Sequence, residues 1–242
     1  MVSGSGLQNR DEELFGHKPF LVLADHLARH GIASLRYDDR GFGASKGGDR
    51  VQKDTTTLDY KRDAEAGIQY LRRLKKVGKV GVIGHSEGGN IAFMLGADKK
   101  VDFVVSMAGV GVKVDIALTA QANKILELQG QPARLSVEQY RQNVQALQSP
   151  WMDWFIDYDP TADISAMKCP VMAINGDKDC QVISTLNLPS IRQLLQKRIS
   201  LHTQVIVSSA LMQALPTPNW FSSANRASCS GNSTPVTRAI PF

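Results

Sequence analysis

Short apolar strand candidates that alternate with amphipathic helical stretches predict an α/β protein: a mostly parallel sheet with helices on both faces and one small helical cap insertion. Three observations carry this. Strand-like apolar runs occur at residues 32–37, 79–83 (KVGVI), 101–107, 170–174 (PVMAI) and 203–207 (TQVIV), each running into a polar loop. Helical periodicity fills the gaps between them. The alternation then stops between residues 111 and 163, where the chain is polar and helix-prone.

The elements follow in order. From residue 17 to 30, Phe20, Leu21, Ala24, Leu27 and Ala28 recur at helical spacing, and Gly31 stands where a helix would stop. Residues 38–53 form a loop rich in glycine and charge. A second amphipathic helix carries Tyr60, Ala64, Ile68, Leu71 and Leu74 and ends by Gly78. KVGVI then reads as a buried strand, and GNIAFMLGA after it as a helix whose small residues allow close packing on a sheet. The interrupting segment contains Trp151, Trp154, Phe155 and Tyr158, rings that either pin a cap to the core or wall a pocket. The domain is expected to span residues 1–207, with the cap at about 111–163. Residues 208–242 are expected to form an atypical, disordered tail, given the bias of SSANRASCSGNST.

Composition excludes several classes of function. The chain has 242 residues, 43% hydrophobic and 21% charged, which suits one globular domain. No apolar run approaches the ~18 residues of a membrane span, so no membrane insertion is expected. The net charge of +5 is confined to one end: Asp179 is the last acidic residue, and residues 1–179 carry 23 basic against 23 acidic side chains. Five scattered basic residues make a poor footprint for a phosphate backbone, so nucleic acid is not an expected partner. Cys169, Cys180 and Cys229 form no CxxC pair and are expected to be unpaired thiols.

The chemistry is expected at Gly84, His85, Ser86, Glu87 and Gly88, a GxSxG pattern between the KVGVI strand and the following helix. The glycines permit a sharp strand-to-helix turn that lifts the Ser86 hydroxyl clear of the sheet. A serine hydroxyl is a weak nucleophile and needs a base, which in turn needs an acid to orient it. Asp179, in NGDKD after PVMAI, is the first candidate for the acid. Asp177 is the alternative, and either carboxylate can instead cap the next segment. An oxyanion hole needs two backbone N–H donors. Glu87, after the nucleophile, offers one; the small-residue opening Val2, Ser3, Gly4, Ser5 and Gly6 offers the other through Ser5, unless it is simply a flexible terminus.

Taken together, SGSGLQNRD, HKPF, LRYDDRGFGAS, IGHSEGGNIA and CPVMAINGDKDCQV resemble the EstD-type bacterial carboxylesterases of the α/β-hydrolase superfamily, over residues 2–190. The resemblance implies hydrolysis of small-molecule, short-acyl esters through an acyl-enzyme, without metal or cofactor. It also implies the roles given above for Ser86 and Asp179. The wider grouping includes serine aminopeptidases, so amide cleavage belongs to the same expectation.

Both ends depart from that family. Its members carry strands ahead of the SGSG loop, whereas Met1 falls within the strand here, so a truncated gene or misplaced start is expected. The family's catalytic histidine follows the last strand; the corresponding position here is near Ala210. His202 is the only histidine after Asp179, but it precedes the strand, at the end of the sheet opposite the active site, where a solvated histidine is the plainer account. A frameshifted C-terminal region is therefore expected. Translating the other two DNA frames past codon 190 should restore an asparagine-histidine loop and a closing helix.

Overall fold

A computed structural model describes residues 1–45, 54–131, 134–196 and 203–209. His202, Ala210, Cys229 and nearly all of the expected tail lie outside the described residues. The chain runs α1 (Pro19–Arg29), α2 (Thr57–Arg72), β1 (Val82–His85), α3 (Glu87–Ala97), β2 (Val104–Met107), α4 (Val114–Leu128), α5 (Val137–Gln145), α6 (Pro150–Phe155), α7 (Thr161–Ala166), β3 (Val171–Gly176), α8 (Ser184–Gln196) and β4 (Thr203–Ser208). Among the described residues the four strands form one sheet in the order β1-β2-β3-β4, and every pairing is parallel.

Register explains the core. Val82 pairs with Val104 and Val104 with Val171, so three β-branched residues stand in a row on one face. All three are buried with Ile68 of α2, Ile91 and Leu95 of α3, and Ile191 and Leu195 of α8. Apart from Glu87 and Asn90, helix α3 is apolar or small, and it is buried for nearly its whole length, as a central helix must be. Its Gly96 lets it approach closely, since a Cβ there would stand 2.9 Å from Val104 Cγ2 and 2.7 Å from Met167 Sδ. Asp59 closes a capping box at the start of α2 by accepting from Thr56 N at 3.0 Å.

The run at residues 32–37 forms no strand. Its backbone receives one bond from the chain's opening, Met1 N to Leu35 O at 2.8 Å, and Val2 alone bridges onward to Gly84. A ladder needs a partner of comparable length, and one bridging residue does not supply it. Beside this segment a cavity of about 230 Å³ is lined by Leu27, Ile32, Leu35, Ile83, Phe103 and Val105, among others. Cysteine corrects a second expectation, because Cys180 is disulfide-bonded rather than an unpaired thiol. It is 3% exposed in the turn after Asp179, and composition alone says nothing of what lies against it.

The interrupting segment forms α4, α5, α6 and α7, and its aromatic rings serve both expected uses. Trp151 and Phe155 stack at 5.2 Å and line a pocket above the β1–α3 junction. Trp154 and Tyr158 stack at 5.5 Å and pack, as Trp151 does, against a core of Val110, Val114, Ala117 and Phe155.

Candidate active site

Strand β1 ends at His85 and α3 begins at Glu87, which leaves Ser86 alone to make the turn. Its φ of 52° and ψ of −118° lie in a region that residues with a Cβ rarely occupy. The flanking glycines serve close approach: a Cβ on Gly84 would stand 1.9 Å from Gly88 O, and one on Gly88 would stand 2.3 Å from Val2 O. Ser86 N donates to Met107 O at 2.8 Å, which ties the turn to the end of β2.

The opening of the chain is ordered over this turn rather than a loose terminus. Val2 N donates to Ile83 O at 2.8 Å and Val2 O accepts from His85 N at 3.0 Å, so Val2 continues the sheet. Residues 3–5 then cross the elbow, with the Gly4 Cβ position 3.2 Å from Ser86 Cβ. Gly4 N donates to Glu12 Oε1 at 2.7 Å. Among the described residues, the N–H groups of Ser5 and Glu87 have no such acceptor. Gly4, Ser5, Gln8, His85, Ser86, Glu87, Trp151 and Phe155 line a cavity of about 90 Å³ together with Tyr140, Met152 and Val182. That volume is well below the ~300–1,000 Å³ of pockets for drug-sized ligands.

Three carboxylates surround the loop. Glu12, at 3% exposure and with a φ of 52°, accepts from both Gly4 N and His85 Nδ1, each at 2.7 Å. Burial disfavours the charged imidazole, but the Glu12 and Asp179 carboxylates outweigh it and leave the His85 pKa raised. Glu87 Oε1 accepts from Thr57 Oγ1 at 2.6 Å and from Trp151 Nε1 at 2.8 Å, and burial pushes its carboxyl up against those bonds and the nearby Ser5 hydroxyl. Its Oε2 is buried without a hydrogen-bond partner among the described residues, an arrangement that costs about 1–3 kcal/mol. Asp39 accepts from Ser3 Oγ and from Gln8 N at 2.8 Å. Burial pushes its carboxyl up to about 7; the bonds from Gln8 and Ser3 oppose that rise and the nearby Glu87 and Glu12 add to it.

This rise has a consequence for stability. Asp39 ionises near pH ~3.9 in the unfolded chain and near 7 in the folded one. Between those values the unfolded state binds fewer protons, so stability falls as pH rises and levels off above the folded pKa. Asp39→Asn should remove that component, worth at most about 1.4 kcal/mol per pH unit. Urea unfolding of both proteins across this window checks it, and parallel pH profiles would refute it.

Asp179 is buried in the turn after β3, and its Oδ1 accepts from Gln181 N at 2.9 Å and Val182 N at 3.0 Å. Burial raises its pKa against those two bonds and the opposing field of His85. Asp177 is exposed, and its N–H donates to Ser208 O at 3.1 Å. The structure thus brings Ser5, Ser86 and Glu87 to one cavity, and puts Asp179 close enough to His85 for the two charges to interact. Glu12 and Asp39 were missed as site residues. NRDEE and YDDRG carry them in plain view, but neither motif indicates which carboxylate turns toward the elbow.

The family description "Serine aminopeptidase, S33" matches residues 18–180, more than half of the chain. The chain is 28% identical over 199 residues to Esterase EstD of Thermotoga maritima, covering 75% of this chain and 46% of that protein. It therefore spans about half the length of this curated relative. Among solved structures it is similar to the Pyrococcus furiosus esterase Pf2001, with a TM-score of 0.62, 19% identity, and coverage of 86% of this chain and 71% of the other. It is also similar to Est1E from Butyrivibrio proteoclasticus with ferulic acid bound, with a TM-score of 0.62, 17% identity, and coverage of 86% and 77%. The parallel sheet, the strained serine between β1 and α3 and the matched region agree: this chain has the α/β-hydrolase fold and belongs to the serine aminopeptidase S33 family.

Proposed function

We propose that this chain is a serine hydrolase that cleaves short-chain carboxylic esters through an acyl-enzyme. The observation that carries the reading is Ser86, held in strained geometry at the wall of a 90 Å³ cavity beside Ser5 and Glu87. In the reaction, Ser86 Oγ attacks the ester carbonyl carbon while its proton passes to a histidine base. The negative oxygen of the tetrahedral intermediate accepts from the N–H groups of Ser5 and Glu87. The intermediate collapses, the C–O bond to the alcohol breaks, and the alcohol leaves with the proton. Water then attacks the acyl carbon by the same route, releasing the carboxylic acid and regenerating Ser86. Asp179 orients the base, which the described residues do not include: the His85 ring is committed to Glu12, and His202 lies outside them.

The size of the cavity favours small acyl groups. The names of EstD and Pf2001, both esterases, favour esters over amides, although the family bears an aminopeptidase name. Steady-state hydrolysis of p-nitrophenyl acetate, butyrate and octanoate beside alanine p-nitroanilide tests this. Turnover of acetate and butyrate exceeding that of octanoate by about tenfold or more is expected, each missing or extra methylene being worth about 1–3 kcal/mol where it clashes. Faster cleavage of the anilide would overturn the ester reading.

One observation favours a second reading, in which the chain binds esters without turning them over: among the described residues no histidine nitrogen bonds to Ser86 Oγ. Loss of a triad member leaves only about 10³- to 10⁴-fold acceleration over water. Folded protein with turnover at that level would select this reading.

A further inference from the structure

We propose that Glu12 and Asp39 are the positioning residues of the oxyanion loop, one carboxylate gripping Gly4 and the other Ser3. The proposal rests on the assignment of that loop to the oxyanion hole under the hydrolase reading. Its support is the hydrogen-bond pattern. Glu12 holds the Gly4 backbone N–H at 2.7 Å and Asp39 holds Ser3 Oγ at 3.0 Å. Two consecutive residues are thus fastened by two acids from separate stretches of the chain.

Each acid also fastens the loop to something rigid. Glu12 Oε1 is shared between Gly4 N and His85 Nδ1, so it locks the loop to the last residue of β1. Asp39 exchanges backbone and side-chain bonds with Gln8, with Asp39 N to Gln8 O at 3.0 Å. Its neighbour Asp38 takes Arg10 N, Nε and Nη2 at 2.8, 2.9 and 3.0 Å. The whole stretch from residue 3 to residue 12 is therefore tied down at both ends.

The arrangement is one that packing alone does not favour. Glu12 and Asp39 are 3% and 4% exposed, and among the described residues neither has a lysine or arginine as ion-pair partner, Glu12 pairing with His85 instead. Burying a carboxylate is unfavourable, and Glu12 has a left-handed backbone conformation as well. The return is placement. With Gly4 N taken by Glu12, the Ser5 N–H remains the donor free to face the cavity.

Hydrogen exchange of the Gly4 amide by NMR, measured beside p-nitrophenyl acetate kinetics, tests the proposal in Glu12→Ala and Glu12→Gln. In Glu12→Ala the Gly4 amide should exchange at least about tenfold faster, and kcat should fall by about 10²-fold, as when one oxyanion donor is lost. KM should stay within about twofold. Glu12→Gln keeps an acceptor oxygen and should stay near wild type in both respects. If Glu12→Ala does not fold, Ser3→Ala, which removes only the Asp39 grip, should speed exchange of the same amide. Unchanged Gly4 exchange in a folded Glu12→Ala protein, or in Ser3→Ala where that is the variant measured, would overturn the proposal. Exchange is read whether or not esters turn over, so an inactive wild type would refute the hydrolase reading and leave this test intact.

Discussion

Ser86→Ala should abolish ester turnover, lowering kcat by at least about 10³-fold, the scale of losses when a serine nucleophile is removed. The same change should eliminate the mass increase that a fluorophosphonate leaves on the wild-type protein. The two measurements are informative together because a fluorophosphonate reports on the nucleophile and its activation, whereas turnover needs every later step. Stability should move the opposite way in a companion variant. Ser86 sits at φ 52° and ψ −118°, where a Cβ is strained, and glycine has no Cβ to strain. Ser86→Gly is therefore expected to be inactive yet more stable than wild type by about 1–3 kcal/mol, the strain such a residue stores. Equal activity in Ser86→Ala and wild type would remove Ser86 from the mechanism. A Ser86→Gly protein less stable than wild type would remove the strain argument.

Gly84→Ala should be the most destabilising single change at the site. The added methyl would sit 1.9 Å from Gly88 O and 2.3 Å from Gly88 C, both backbone atoms held in the first turn of α3. Neither can move without displacing the helix from the sheet, against which α3 is buried for nearly its whole length. A cost above about 4 kcal/mol is expected, the range reached when backbone must shift inside a packed core. Gly6→Ala is the matched control. Gly6 has φ 89° and nothing within 4 Å of its Cβ position, so it should lose only the left-handed preference, about 1 kcal/mol. Chemical unfolding of the two variants separates close approach from backbone preference; similar losses in both would mean that contact at Gly84 is not what matters.

Much of the elbow was legible because it is local. KVGVI, GxSxG and GNIAFMLGA follow one another along the chain, and a strand, a tight turn and a small-residue helix are each dictated by residues within a few positions. Two strand starts moved by three residues: β1 begins at Val82 rather than at residue 79, and β2 at Val104 rather than 101. Those shifts follow from where neighbouring strands overlap, which is a property of the pair. The run at residues 32–37 shows the same limit more sharply. Its apolar pattern is that of a strand, yet a strand is defined by its partner, and only one residue of the opening segment bridges to the sheet.

The amino-acid sequence by itself determined the fold class and the place of the candidate nucleophile, because both are written in periodicity and spacing along one stretch of chain. Tertiary structure decided the rest of the site. Glu12, Asp39 and Glu87 are separated by 27 and 48 positions, and each is an ordinary acidic residue in its own local context. Only the folded chain puts them around residues 3–5, away from water, where a carboxylate must find donors or a proton. The same holds for Trp151, Trp154, Phe155 and Tyr158: all four rings sit within eight residues and join one apolar cluster, and the fold turns Trp151 and Phe155 to the cavity as well. Periodicity specifies which residues share a face, but what that face meets is settled by packing across the whole molecule.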